Sequence, residues 1–213
     1  MQFKDRYEAG KKLARALAPL VNKEAVVYAL PRGGVALGYE ISKALKIPLD
    51  IIVTRKIGHP VQPEYAICAV AEDGHEICNE TERAAMDKTW LAQAKKKQLE
   101  EAKRRRITYR SGINSPTVTG KTAILVDDGI ATGLTIRLAI TELKHLNPKR
   151  LIVAVPVAPR EVAEEISKVA DELVVLDLPT IYAGAVGAYY ENFPQIEDKE
   201  VIKLLNEIAD QKF

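Results

Sequence analysis

Cysteine is scarce: the 213 residues contain two, Cys68 and Cys78. Two are too few for a disulfide scaffold and fit a reducing compartment better. Charge of one sign is equally scarce. Thirty-one Lys and Arg stand against 29 Asp and Glu, a net charge of +2, so no global field draws the chain onto nucleic acid. No uninterrupted apolar run approaches the ~18 residues of a membrane span. The opening Met1-Gln2-Phe3-Lys4-Asp5 has no apolar secretory core. There is no internal repeat and no low-complexity segment. These absences leave a soluble, cytoplasmic globular protein as the expectation. An apolar fraction of 47% with 28% charged residues suits that class.

Strand-like and helix-like segments alternate along the chain. Helices are expected at 7–20, 35–45, 134–146, 160–169 and 198–208, and strands at 25–30, 49–54, 121–126, 151–155 and 172–176. Residues 67–71 and 75–78 look like a hairpin around Glu72-Asp73-Gly74. The alternation implies an α/β fold, a mainly parallel sheet flanked by helices. Ligands of such sheets bind beyond the carboxyl ends of the strands. One insertion stands out: residues 80–110 are rich in Glu, Ala, Lys and Gln. It reads as one long helix or a bent pair, with Leu91, Ala94, Leu99 and Ala102 as an apolar stripe, packed on the domain or on a second subunit. One domain over 1–213 is expected.

The most telling stretch is Ala123-Ile124-Leu125-Val126-Asp127-Asp128-Gly129-Ile130-Ala131-Thr132-Gly133-Leu134-Thr135. An apolar strand ends in two carboxylates, a loop of small residues follows, and a helix begins. Carboxylates accept hydrogen bonds from vicinal hydroxyls. Loop N–H and hydroxyl groups at a helix N-terminus receive a phosphate dianion. Gly129 and Gly133 allow backbone conformations that other residues avoid. Ala131 keeps the loop uncrowded, and Thr132 and Thr135 offer hydroxyl donors. Each hydrogen bond to a charged group contributes roughly 1.5–3 kcal/mol, so several hold a phosphate without a lysine. Gly120-Lys121-Thr122 is not the end of a P-loop, because Ser115 stands where the first glycine should be and a strand follows.

This stretch closely resembles the phosphoribosyl diphosphate (PRPP) motif of the type I phosphoribosyltransferases. The resemblance implies that Asp127 and Asp128 hold the ribose hydroxyls and that the loop from Ala131 through Thr135, Leu134 included, holds the 5-phosphate. It implies Mg²⁺ as a bridge between pyrophosphate and ribose oxygens, reached by Asp127 and Asp128 directly or through water. Two further segments suit the pyrophosphate. Pro31-Arg32-Gly33-Gly34 puts a guanidinium beside two glycines at a strand end. In the resembled family the loop after the first strand touches pyrophosphate. Thr54-Arg55-Lys56-Ile57-Gly58-His59-Pro60 is expected to place two cations at a strand end before a loop that closes over the site. It resembles the Arg-Lys-x-Gly signature of adenine phosphoribosyltransferases.

Ala131 departs from the 6-oxopurine branch, which places an aspartate there to handle the base proton. Glu64, beside Tyr65, is the replacement candidate, arriving on loop closure. A hood at about 177–194 carries Tyr182, Tyr189, Tyr190 and Phe193, whose rings either stack on a planar base or pack in the core. The whole chain resembles a less characterised group of bacterial and archaeal phosphoribosyltransferase-like proteins with the same segments and a long helical insertion. The resemblance implies an enzyme, a transferase of nucleotide metabolism that moves the phosphoribosyl group of PRPP to a nitrogen nucleophile. A nucleobase acceptor and a homo-oligomer are expected.

The alternative is a non-catalytic PRPP- or nucleotide-sensing regulator that binds RNA through Lys103-Arg104-Arg105-Arg106 and Arg110. A solvated helix face explains that run better, since Glu100 and Glu101 flank it and no aromatic row accompanies it. Cys68, His75 and Cys78 lack the paired spacing and fourth ligand of a zinc site. His59 is placed to touch phosphate, and His145 reads as a capping or surface residue.

Overall fold

The computed structural model describes residues 2–63, 65–211 and 213. In chain order the first elements are α1 (Arg6–Leu17), β1 (Ala25–Ala29), α2 (Gly33–Leu45), β2 (Leu49–Ile51) and β3 (Thr54–Gly58). Next come β4 (Ala66–Ala71), β5 (Glu76–Cys78), α3 (Glu80–Ala85), α4 (Lys88–Tyr109) and β6 (Thr122–Val126). The chain ends with α5 (Leu134–His145), β7 (Arg150–Val157), α6 (Arg160–Ile166), β8 (Glu172–Asp177) and α7 (Asp198–Ala209). Among the described residues no helix is long and apolar enough to cross a membrane.

Five strands form one parallel sheet in the order β2-β1-β6-β7-β8. Beyond the half-buried Thr122 and Arg150 that open β6 and β7, its central strands are continuous buried apolar runs, because helices cover both faces. On one face α1, α2 and α7 bury Leu13, Leu17, Leu37, Ile41 and Leu205 against Val27 and Ile124. On the other, α5 and α6 bury Ile136, Ile140, Leu143 and Ile166 against Val26, Leu125 and Val153. Each fully buried Val, Leu or Ile contributes roughly 1.5–3 kcal/mol before entropy is set against it.

The second sheet corrects the expected strand at 49–54 and the placing of Arg55 and Lys56 at its end. β2 ends at Ile51, and Thr54–Gly58 is a strand of its own, antiparallel to β4, which pairs with the hairpin partner β5. Val53 and Ile57 are buried, so this run satisfies its backbone in a ladder rather than in water. The expected hairpin at 67–78 is present. The insertion is a bent pair: α3 stops at Met86, and Asp87 caps α4 by accepting from the Trp90 N–H at 2.7 Å. Leu91 and Ala94 pack on Ile57, Ile67 and Cys68, and Ala102 joins the main core.

Cys68 and Cys78 are joined as a disulfide, against the reducing expectation. They are register partners on β4 and β5. Ten positions of sequence separation conceal that proximity until the hairpin register is known.

Candidate active site

β1 and β6 are neighbours, but β1 leads outward to β2 at one edge while β6 leads to β7 and β8 at the other. Their carboxyl ends bound the crevice that a doubly wound sheet opens where strand order reverses. Both glycine-bearing motifs fall there. The Leu30 N–H donates to the Val126 carbonyl at 2.9 Å, tying the two loops together. The Pro31–Arg32 peptide is cis. A Cβ at Gly33 would stand 1.9 Å from Asp128 Oδ2, and one at Gly34 would stand 2.8 Å from the Val126 carbonyl oxygen. These two glycines provide clearance: only a bare backbone lets the loop lie against the acid pair.

Asp128 Oδ2 accepts from Arg6 Nε at 2.8 Å, with both side chains largely buried. Arg6 Nη1 donates to the Pro194 carbonyl at 2.7 Å, and its guanidinium lies 3.6 Å from the centre of the Phe193 ring, a cation–π contact. Tyr190 Oη donates to the Asp128 carbonyl at 2.6 Å. Asp127 Oδ1 accepts from the Asp128 N–H at 2.9 Å. Burial, and then the charge of Asp128, push the Asp127 carboxyl well above its ordinary range. Burial raises Asp128 as well, and Arg6 opposes it. Among the described residues, Arg6 is the one cation bonded to the pair.

Gly133, at φ 78°, opens α5, and its carbonyl accepts the first helical bond from the Arg137 N–H at 2.9 Å. The positive φ favours glycine. The first N–H groups of α5, including those of Leu134 and Thr135, have no acceptor within the helix. Leu134 buries its side chain against Ala66 and Ala69 of β4, so only its backbone faces the loop. Thr132 and Thr135 are half-buried and Ala131 is exposed at the rim.

Strand alternation separates the two cations of β3. Arg55 is on the α4 side, where its Nε donates to Gln98 Oε1 at 3.1 Å. Lys56 shares the opposite face with Thr54, whose hydroxyl donates to the Thr135 carbonyl at 3.5 Å. Burial lowers the pKa of Arg55, helped by the positive charges of Arg105 and Arg32. Arg32 Nη1 lies 3.5 Å from Asp198 Oδ1. Arg104 reaches Asp198 Oδ2 at 3.0 Å, and Tyr109 Oη donates to Asp198 Oδ1 at 2.6 Å.

The basic run of the insertion is therefore solvated only in part: Lys103 and Arg104 are exposed, while Arg105 is buried and Arg106 and Arg110 are half-buried. Arg104 and Arg105 both bond Glu101 at 2.7 Å, holding that carboxyl down at about 2. Arg106 donates to the Ile51 carbonyl at 2.9 Å, and Arg110 pairs with the buried Asp50 at 2.8 Å. A linear run of cations does not reveal that helical geometry turns most of them towards internal acids.

The hood is mixed. Tyr189 and Tyr190 are buried, and Phe193 packs beneath Arg6. Tyr182 stacks on Tyr189 with ring centres 5.5 Å apart. Its buried hydroxyl has no hydrogen-bond partner, and burial raises it to about 12. Glu64 lies outside the described residues. The connection after β3 is tied back on itself, with the His59 N–H bonded to the Tyr65 carbonyl at 2.8 Å.

The sequence matches the phosphoribosyl transferase domain over residues 2–192. The chain belongs to this family. It is 40% identical over 206 residues to proteins of two Mycobacterium tuberculosis strains, named "Putative phosphoribosyl transferase Rv0571c" and "Putative phosphoribosyl transferase MT0597". That alignment covers 96% of this chain and 46% of each relative, so the chain spans about half the length of the curated relatives it matches. The crystal structure of TT1426 from Thermus thermophilus is similar, with a TM-score of 0.79 at 38% identity, covering 98% of this chain and all of that one.

Two contributors to the crevice of this phosphoribosyl transferase domain escape sequence reading, Arg6 and Asp198, and Tyr190, read only as a hood ring, acts there through its hydroxyl on the Asp128 carbonyl. Arg6 is 122 positions from its acid partner. A parallel bridge between Phe3 and Tyr190 places it, with the Phe3 N–H donating to the Tyr189 carbonyl at 2.8 Å. The one local signal was Asp5, which caps α1 by accepting from the Glu8 N–H at 2.8 Å.

Proposed function

We propose that this domain transfers the phosphoribosyl group of PRPP to a nitrogen nucleophile, a nucleobase, releasing pyrophosphate with inversion at C1. The observation that carries the reading is the contact of the Arg32-Gly33-Gly34 loop with the Asp127–Asp128 pair across the crevice. It would put a pyrophosphate cradle against a ribose cradle. In this reading Asp127 and Asp128 accept the 2- and 3-hydroxyls. The loop of Gly129, Ala131, Thr132, Gly133, Leu134 and Thr135 receives the 5-phosphate. Arg32, the N–H groups of Gly33 and Gly34, and Arg55, whose guanidinium senses the charge of Arg32, stabilise charge as it develops on the pyrophosphate, with Lys56 assigned to reach it from the opposite face of β3.

The acceptor nitrogen uses its lone pair to form the bond to C1. The C1–oxygen bond breaks, its electron pair leaves with pyrophosphate, and the acceptor loses a proton. Glu64 is assigned that proton and Tyr182 the stacking face for the base. Two buried carboxylates with a single bonded arginine suit a divalent cation. Asp127 and Asp128 would hold Mg²⁺, which supplies charge neutralisation for pyrophosphate when bound.

The test is a screen of nucleobases with PRPP and Mg²⁺, read as pyrophosphate release. Release with one base and none without it is the expected result. Salt-sensitive RNA binding with no release from any base would favour the regulator instead. The internal ion pairs of the basic run weigh against that second reading.

Gly33→Ala tests the juxtaposition. The added methyl would fall 1.9 Å from Asp128 Oδ2, so the carboxylate must leave its position on Arg6. Binding of PRPP, measured by calorimetry, is expected to weaken by ~10-fold or more, the worth of one charged hydrogen bond. Unchanged affinity would show that the two loops do not form one site.

A further inference from the structure

His75 leaves the discarded cysteine set once Cys68 and Cys78 are joined to each other. It meets instead two residues that the sequence did not connect to it. Glu142 and His145 are three apart in the last turn of α5, so helical geometry sets them on one face. His75 reaches them from the β4–β5 hairpin, where Gly74 at φ 98° makes the turn. One ligand atom from each of His75, Glu142 and His145 lies within 4.8 Å of the other two. The imidazole rings are 5.3 Å apart. His75 Nδ1 is 2.8 Å from Glu142 Oε1 and 3.0 Å from Asp73 Oδ2.

We propose that His75, Glu142 and His145 form a zinc site, with Asp73 or water as fourth ligand. Two imidazoles and one carboxylate are a donor set that zinc favours in tetrahedral geometry. Bonds of about 2.0–2.1 Å to such an ion put ligand atoms roughly 3.4 Å apart. Closing from the present spacing would bring the exposed His75 and His145 rings onto the half-buried Glu142 carboxylate. Imidazole nitrogen discriminates against Mg²⁺, which takes oxygen donors, so this site is distinct in chemistry from the acid pair.

The position gives the ion a structural role. The small sheet rests on α5 through Ala66, Ala69 and Ala71 against Leu134 and Leu138. A zinc ion would staple the far end of the same contact, joining the hairpin to the C-terminal turn of α5. The N-terminus of that helix carries Thr132 to Thr135, and β3 of the small sheet carries Lys56. The ion would thereby fix the spacing of two parts of the crevice without entering it. The site does not depend on which reaction the crevice performs.

The test uses the full chain, free of any affinity tag, stripped with chelator and titrated with zinc chloride at about pH 7.5, where unperturbed histidine is mostly neutral. Calorimetry is expected to give one zinc per chain. At ~100-fold excess over Kd, the melting temperature should rise by about 5–10 °C. The double variant His75→Ala, His145→Ala is expected to lose at least ~100-fold in zinc affinity, since neutral imidazoles supply two of the three ligands. Glu142→Gln serves as an independent check, should the double variant melt differently without metal. Millimolar Mg²⁺ should not displace the zinc. Absence of binding, or equal binding by the variants, would overturn the proposal.

Discussion

Replacing Asp127 and Asp128 together by asparagine is expected to weaken PRPP binding by ~10²–10⁴-fold, the worth of two hydrogen bonds to charged acceptors at roughly 1.5–3 kcal/mol each. The fold should survive. Burial already pushes the Asp127 carboxyl towards its neutral form, so an isosteric amide replaces a group that is costly to ionise there. Arg6 keeps an acceptor in the amide oxygen at position 128 but loses its counter-charge, so the melting temperature is expected to fall, while Tyr190 still donates to the carbonyl of that residue. A loss of binding measured well below the melting temperature of the variant would therefore report on the ligand and not on the scaffold. Calorimetry with PRPP and Mg²⁺ checks it. Unchanged affinity would remove the acid pair from the site.

The second large effect concerns the pair that anchors the insertion. Arg110 Nη1 donates to Asp50 Oδ2 at 2.8 Å, and the side chains are 8% and 5% exposed. Asp50 also accepts from the Ile51 N–H at 2.7 Å, while Arg110 Nη2 is buried without a partner. Burial raises the Asp50 carboxyl and lowers the Arg110 guanidinium, each opposed by the other's charge. Removing one member strands the other. Asp50→Leu alone is expected to cost about 3–5 kcal/mol, whereas Asp50→Leu with Arg110→Met should recover most of that loss. Denaturant titration of the two single variants, the double variant and the parent measures the coupling. If the single variants cost no more than the double, the pair does not anchor α4 to β2.

Legibility differed between the two halves of the crevice, for physical reasons. The acid pair, the small-residue loop and the Gly33–Gly34 segment are contiguous in sequence, and each follows a strand. A period-two or continuous apolar pattern locates strand ends, and ligand loops of parallel sheets lie there. The cation wall is assembled across elements. Arg55 and Lys56 are adjacent in sequence but on opposite faces of β3, which becomes visible only once Thr54–Gly58 is known to be a strand. That run read as a loop because its glycine, proline and charged residues lack a strand's alternation. Its pairing with β4 overrides the weak local preference. The rings of the hood stayed ambiguous for a related reason. Whether an aromatic face is free or packed depends on neighbours far away in sequence, such as Arg6 beneath Phe193.

By itself the sequence determined the alternation of strands and helices, the parallel central sheet and the place of the acid pair and small-residue loop at a strand end. Each rests on local periodicity or on contiguous residues. Only the tertiary structure decided what meets that motif. Strand order put the Gly33–Gly34 loop against Asp128, a bridge between Phe3 and Tyr190 put Arg6 on the same carboxylate, and hairpin register joined Cys68 to Cys78. The helical twist of α4 set Arg104 of the basic run, and Arg110 just beyond the helix, against acids from other elements. Such contacts join residues far apart along the chain, and a linear pattern carries no record of them until the chain has packed.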